Sequence, residues 1–235
     1  MSIAENIAAI RAKMNAAAIA AGRDPREIQL CAATKMNDAD AVRQAIAGGV
    51  DCCGENRVQE LVAKSAENAY EGAPVHFIGH LQTNKVRQVV GKVDLIQSVD
   101  SLRLLKAIDA EAAKQGIRQK ILLEINIGNE ESKSGFRACE ILPLLEQIAD
   151  FPHIWVCGLM AIPPISQNSG DNRKFFQEML QLSVDITAKK YDNVSMDFLS
   201  MGMSDDFEDA IFCGSTMIRV GTAIFGARNY AKVHQ

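Results

Sequence analysis

The chain has no apolar run approaching the eighteen or so residues of a membrane span, which argues against a transmembrane helix. Its six cysteines include no CxxC pair, so spacing indicates neither a zinc site nor a disulfide framework. Basic charge is not in excess: 25 Lys and Arg against 29 Asp and Glu give a net charge of −4, with no general attraction to nucleic acid or anionic membranes. No GxGxxG follows the first strand-like run, and where Gly49 and Gly54 have Walker-A spacing, Glu55 stands in place of the required lysine. None of His76, His80, His153 and His234 accompanies a serine in a nucleophile elbow. The amino terminus lacks a basic segment before an apolar core, so no signal peptide is expected. Instead Ile3, Ile7, Ile10, Met14 and Ala18 share one face of a helix over residues 1–21. Cysteines lying mostly in apolar segments then read as reduced, small hydrophobes of a cytoplasmic protein, with Cys52 and Cys53 facing opposite ways on one strand.

What is present is a regular alternation. Hydrophobic residues make up 48% of the chain, enough for a substantial core. Eight strand-like runs occur at 28–35, 50–54, 75–79, 95–99, 121–127, 155–162, 196–202 and 216–221. Helical spacing fills 39–47, 57–67, 102–115, 140–148 and 174–189, and a more polar segment at 83–90 is also predicted helical. Alternating strand and helix means parallel pairing with right-handed crossovers. Eight such units in 235 residues predict a (β/α)8 TIM barrel as a single domain over 1–235, flanked or capped by the first helix; a doubly wound open sheet is the alternative. The Pro-, Ser- and Asn-rich stretch 163–172 is too short to separate domains and is expected to be a loop.

In a barrel, functional groups collect at the carboxyl ends of the strands. Lys35 is the only charged group in its strand-like run and ends it. An amine in apolar surroundings loses solvation of its charged form and becomes a better nucleophile, although a lysine that snorkels to solvent is the simpler reading. Asn56 follows the second strand, His80 the third, Asn126 the fifth, and Ser132-Lys133-Ser134-Gly135 lies in the loop beyond. Ser200-Met201-Gly202-Met203-Ser204 ends the seventh strand and Arg219-Val220-Gly221-Thr222 the eighth, which together resemble a phosphate cup. Ser204 is alternatively an N-cap for a helix starting near Asp205. The acids Asp205, Asp206, Glu208 and Asp209 must point away from any phosphate for the cup to work.

Seven ordered blocks carry a specific likeness: Ala33-Thr34-Lys35, residues 54–60, 76–85, Ser132-Lys133-Ser134-Gly135, Gly158-Leu159-Met160-Ala161-Ile162, residues 200–206 and residues 214–226. On these the chain resembles the pyridoxal phosphate homeostasis protein family, relatives of the barrel domain of alanine racemase. The resemblance implies that Lys35 holds pyridoxal 5′-phosphate as an internal aldimine. It places Ser200, Ser204, Gly221 and Thr222 around the phosphate, Arg219 opposite the pyridine nitrogen, and Asn56 in the same cofactor-binding set. Thr34 and Asn37 depart from the family's usual serine before the lysine and second lysine after it, which leaves any role for a second amine in doubt.

The resemblance further implies storage or delivery of the cofactor in intracellular homeostasis rather than turnover, with no catalytic residue and no metal. Alanine racemase draws an acid/base tyrosine from a second domain; no such domain is expected in these 235 residues, and Tyr70, Tyr191 and Tyr230 are expected to lie away from the site. The ligand is then pyridoxal phosphate, the recipients are pyridoxal phosphate-dependent apo-enzymes, and the chain acts as a monomer without nucleic acid or membrane. Alternative readings are a weak amino-acid racemase, a cofactor-free Schiff-base aldolase, and an interaction protein that uses the ligand only as a signal.

Overall fold

Eight parallel strands pair in chain order and the eighth returns to the first, closing a barrel. They are β1 Gln29–Ala33, β2 Cys52–Glu55, β3 Val75–Phe77, β4 Leu95–Val99, β5 Gln119–Ile125, β6 Ile154–Ala161, β7 Val194–Ser200 and β8 Met217–Val220. The helices are α1 Ile3–Ala20, α2 Ala39–Ala47, α3 Val58–Ala66, α4 Leu102–Gln115, α5 Ala138–Leu145, α6 Arg173–Lys189, α7 Phe207–Phe212 and α8 Thr222–Phe225. The computed structural model describes residues 1–165, 168 and 170–226.

Strand alternation divides the core in two. One set of side chains, among them Leu30, Cys53, Phe77, Ile96 and Leu123, packs against the helices. The other fills the barrel: Cys31, Cys52 and Met217 on one side, Leu95, Leu122, Cys157 and Met160 on the other, with Phe198 of β7 touching both. Cys52 and Cys53 therefore do face opposite ways, as the pleat requires. The first helix flanks the barrel. Its N-terminus carries a capping box between Ser2 and Glu5. It buries Ile7, Ile10, Met14 and Ala18, packs on α2, α7 and α8, and Asn6 Nδ2 donates to the Ile224 carbonyl at 2.8 Å.

Three helical expectations are corrected. Residues 83–90 form a 3-10 helix, Thr83–Gln88, instead of an α-helix: the apolar residues are the β-branched Val86, Val89 and Val90, poor α-formers, and they are buried. The helix expected over 140–148 starts earlier and stops at Leu145, and a separate 3-10 turn, Ile148–Asp150, follows. Pro143 inside α5 removes one of its hydrogen bonds. The helix after β7 begins at Phe207, not near 205, so Ser204 does not cap it; Asp206 holds the N-cap position and its Oδ1 accepts from the Met203 amide at 2.7 Å.

The β6–β7 register shifts between Val156 and Gly158, where Gly158 adopts φ +150°. A Cβ there would lie 1.8 Å from the Phe198 carbonyl oxygen, a backbone atom that cannot yield cheaply. Gly158→Ala is therefore expected to cost about 3 kcal/mol or more in urea unfolding, through strain at a special backbone position. An unfolding midpoint unchanged from the parent would show that the two strands have slack.

Candidate functional site at the carboxyl-terminal mouth

The last strand places a permanent cation inside the barrel. Arg219 is buried and alternates with Val220, which packs outward. Its Nη1 donates to Ser200 Oγ at 2.6 Å and its Nη2 to the Ala161 carbonyl at 2.9 Å. Among the described residues no carboxylate lies within ion-pair distance of it. Burial lowers its pKa, partly offset by Cys31, Glu124 and Asp206, yet a guanidinium stays charged at any ordinary pH. Ser200 passes its own hydrogen on to Gln97 Oε1 at 2.7 Å, and Gln97 Nε2 meets His76 Nδ1 at 2.9 Å. A polar row thus crosses the barrel from β8 through β7 and β4 to β3. His76 is a residue of β3 whose Nδ1 is held by Gln97 of β4.

The loops after β7 and β8 adjoin this arginine. Gly202 has φ +94°, and a Cβ would come within 2.6 Å of the Ala210 side chain and 3.0 Å of the Phe207 backbone, so only glycine lets the loop after β7 lie on α7. Its carbonyl accepts from the Arg219 amide at 3.0 Å, which ties the two loops together. Gly221 precedes α8, whose first residue is Thr222, and a Cβ on Gly221 would meet the Ala33 side chain at 3.3 Å. Because β1 pairs with β8, the turn bearing Lys35 sits beside the Gly221 loop, not across the mouth from it. Three of the four acids near the start of α7 are engaged by other groups, and Asp205 is exposed. Asp206 Oδ2 accepts from Asn172, Asp209 from Arg173 Nε and the Gly170 amide, and Glu208 reaches Lys13. Ser204 is half-buried and Thr222 exposed, and neither hydroxyl has a partner within the described residues.

Lys35 is half-buried in the turn just beyond β1, which ends at Ala33. The backbone around it is fastened on every side. The Thr34 carbonyl accepts from Lys64 Nζ at 2.8 Å, the Lys35 carbonyl from Asn37 Nδ2 at 3.0 Å, and Glu60 Oε2 accepts from the Met36 amide at 2.6 Å. Beneath the turn, the wholly buried Glu55 Oε1 collects Thr34 Oγ1 at 2.5 Å, Lys64 Nζ at 2.6 Å and the Tyr70 hydroxyl at 2.9 Å. Burial first, and the Glu55 charge second, push the Tyr70 phenol well above its ordinary range. Tyr70, expected to lie away from the site, sits in a turn and shares a carboxylate with Thr34, the residue preceding Lys35. Tyr191 is held outside this network, and Tyr230 falls outside the described residues.

At the carboxyl ends of β2, β3 and β5 a cavity of about 260 Å³ is lined by Asn56, His80, Glu124, Asn126, Lys133 and Ser134, among others, and Asn56 alone of the expected cofactor residues lines it. Asn56 Oδ1 is buried there with no hydrogen-bond partner among the described residues. Gly79 lets the Asn56 backbone approach, since a Cβ would lie 2.2 Å from its carbonyl oxygen. Asn126 instead orders its own loop, donating to the carbonyls of Glu130 and Lys133, and His80 pairs with Asp100 at 2.9 Å. Glu124 is pushed up to about 7, chiefly by burial and then by Asp100, against the pull of Arg219 and His80.

Glu60, Lys64, Gln97 and Glu124 escaped the sequence reading as site residues. Three of them had a signal: Lys64 lies on the apolar face of its helix, Gln97 is a lone amide in Leu-Ile-Gln-Ser-Val, and Glu124 a lone acid in Ile-Leu-Leu-Glu-Ile.

The chain is thus a parallel eight-stranded barrel with a lysine after its first strand and a buried arginine on its last, and its match to a family model places it in the alanine racemase barrel class. The family model for the N-terminal domain of alanine racemase matches residues 2–229, and the chain belongs to that family. Within it, the chain is 41% identical over 98% of both sequences to the pyridoxal phosphate homeostasis protein of Escherichia coli K12, and it belongs to the pyridoxal phosphate homeostasis protein family. A protein of unknown function from Bifidobacterium adolescentis has the same fold, with a TM-score of 0.89 at 37% identity over 95% of this chain and 94% of that one. PipY of Synechococcus elongatus, solved with pyridoxal phosphate bound, aligns with a TM-score of 0.82 at 32% identity over 96% of this chain and all of its own.

The Glu124 environment makes stability depend on pH. Between the ordinary value of 4.5 and about 7 the folded chain holds a proton that the unfolded chain has lost, so stability falls as pH rises through that window. The full effect is about 3 kcal/mol before allowance for water in the cavity. Glu124→Gln is expected to raise the melting temperature of ligand-free protein above pH 8 and to leave it nearly unchanged below pH 4.5. An equal effect at both ends would assign the change to packing instead.

Proposed function

We propose that this chain binds pyridoxal phosphate at the carboxyl-terminal mouth and holds it reversibly through Lys35, as a store or delivery form in cellular pyridoxal phosphate homeostasis. The observation that carries this reading is the buried Arg219, without a carboxylate partner, next to a glycine-walled cup and a fastened lysine turn. The residues present fit the cofactor: a phosphorylated anion suits Ser204, Thr222 and the opening amides of the Gly221 loop. Asn56 Oδ1 is a buried acceptor facing the cavity, and Arg219 offers guanidinium donors beyond the two already used. Ser200 belongs to this set as the support of Arg219, since its hydroxyl both accepts from the guanidinium and donates to Gln97.

When bound, pyridoxal phosphate supplies an electrophilic aldehyde and an electron-withdrawing ring. Arg219 cannot surrender its protons, so it can donate to a ring nitrogen but disfavours that nitrogen being protonated, and the electron sink stays weak. Holding without efficient turnover follows, in keeping with relatives named for homeostasis and not for a reaction. We read residues 1–235 as one binding unit that works as a cytoplasmic monomer and passes the cofactor to apo-enzymes that depend on it. Among the described residues no helix is long and apolar enough to cross a membrane.

Borohydride treatment of the loaded protein, followed by peptide mapping, is expected to place the label on Lys35. Lys35→Ala should remain folded and lose the visible absorption band of the bound cofactor. Label on Lys64 or Lys133 would overturn the assignment.

Thr222→Ala is expected to weaken binding of pyridoxal phosphate about tenfold while leaving unphosphorylated pyridoxal nearly unaffected, because it removes one hydrogen bond to a charged acceptor. Equal losses for both ligands in equilibrium titrations would locate the phosphate elsewhere.

A further inference from the structure

The barrel interior next to Arg219, on its amino-terminal side, holds a second constellation of side chains. Cys31 of β1, Cys52 of β2 and His76 of β3 all point into the barrel, and one ligand atom from each lies within 4.8 Å of the others. All three are buried. They converge because β1 and β2 pair with Cys31 opposite Cys52, while β3 follows with Gly54 opposite His76. Residues 21 apart (Cys31 and Cys52) and 24 apart (Cys52 and His76) thus become neighbours, which is why CxxC spacing gave no hint of them.

A cavity of about 540 Å³ reaches this cluster from the amino-terminal end and is lined by Cys52 and His76 themselves, together with Asp51, Asp94 and Lys120 among others. We propose that Cys31, Cys52 and His76 form a binding site for a soft divalent cation, with zinc the ion they fit, entered from this cavity. Two sulfurs and an imidazole are a zinc ligand set that leaves the fourth position for water, here supplied by the cavity. Zinc–sulfur bonds of about 2.3 Å and zinc–nitrogen bonds of about 2.0–2.1 Å set tetrahedral ligand atoms roughly 3.5–3.8 Å apart, so the side chains need close by about 1 Å.

The charges agree. Each thiol that binds loses its proton to water, and two thiolates, a neutral imidazole and Zn²⁺ sum to zero, a balance that a buried site beside the Arg219 guanidinium tolerates. The nearby carboxylates are occupied: Asp51 Oδ2 accepts from the Leu30 amide and Arg11, and Asp94 Oδ2 from the Val75 amide. Gln97 holds His76 through Nδ1, leaving Nε2 as the remaining ligand atom of the ring. A metal at Nε2 puts the ring proton on Nδ1; turning the Gln97 amide to accept it presents Gln97 Nε2 to Ser200 Oγ, which then accepts from Gln97 instead of donating to it while still accepting from Arg219.

The test uses the full-length, reduced chain titrated with zinc against a chromophoric chelator, and with cobalt as a spectroscopic probe. One zinc per chain is expected, and cobalt should show a thiolate charge-transfer band with the strong visible bands of tetrahedral coordination. Cys52→Ser should lower zinc affinity at least about a hundredfold, and Cys139→Ser, at an exposed thiol, should leave it unchanged. Absence of stoichiometric binding, or affinity untouched by both Cys31→Ser and Cys52→Ser, overturns the proposal. Should a serine variant fail to fold by circular dichroism, alkylation of the parent decides: zinc should protect Cys52 and not Cys139, and equal labelling with and without zinc overturns the site.

Discussion

The interior of this barrel is organised around one desolvated cation. Arg219 sits where most barrels of this size place an aliphatic side chain, and its guanidinium is matched by a hydroxyl and a carbonyl instead of a carboxylate. A buried charge without a counter-ion is costly, so the surrounding groups are arranged to solvate it. Ser200 accepts, hands its hydrogen to Gln97, and Gln97 in turn meets His76. The glycines of the adjoining loops let the backbone come close, and the acids at the start of α7 are drawn outward by Asn172, Arg173 and Lys13.

A second buried charge performs a different task. Glu55 ends β2 and gathers donors from β1, α3 and the turn before β3, so it binds the first three units of the barrel to one another. Lys64 completes the arrangement by holding the Thr34 carbonyl as well as the carboxylate. The consequence for function is positional: the backbone on either side of Lys35 has little freedom, and the amine starts from a fixed base next to the Gly221 loop. Rigid support under a reacting side chain is what distinguishes a site from a coincidence of residue types.

The two ends of the barrel carry different chemistry. Hard, oxygen- and nitrogen-based donors line the carboxyl-terminal mouth, suited to a phosphorylated small molecule. Sulfur and imidazole gather toward the amino-terminal end beneath a separate cavity. The polar row from Arg219 to His76 is the only side-chain hydrogen-bonded link between them that the described residues show, and it runs through a single amide, Gln97.

Much of this was legible in the chain. The eight strand-like runs, their helical spacers and the flanking first helix follow from local periodicity, which the sequence carries residue by residue. The mouth residues Lys35, Asn56, Ser204, Arg219, Gly221 and Thr222 follow from the rule that strand ends bear function, strengthened by ordered motifs. What periodicity could not decide was anything that depends on register and closure. Glu55 and Lys64 become one network only when α3 folds back on β1 and β2. Ser200 turns from an open cup residue into the support of an arginine only when β4, β7 and β8 face each other across the barrel. Cys31, Cys52 and His76 meet only because consecutive parallel strands bring residues one βα unit apart side by side. Short-range pattern sets which face of an element is buried; which groups meet on the buried faces is set by strand register, and that is determined by the packing of the whole barrel at once.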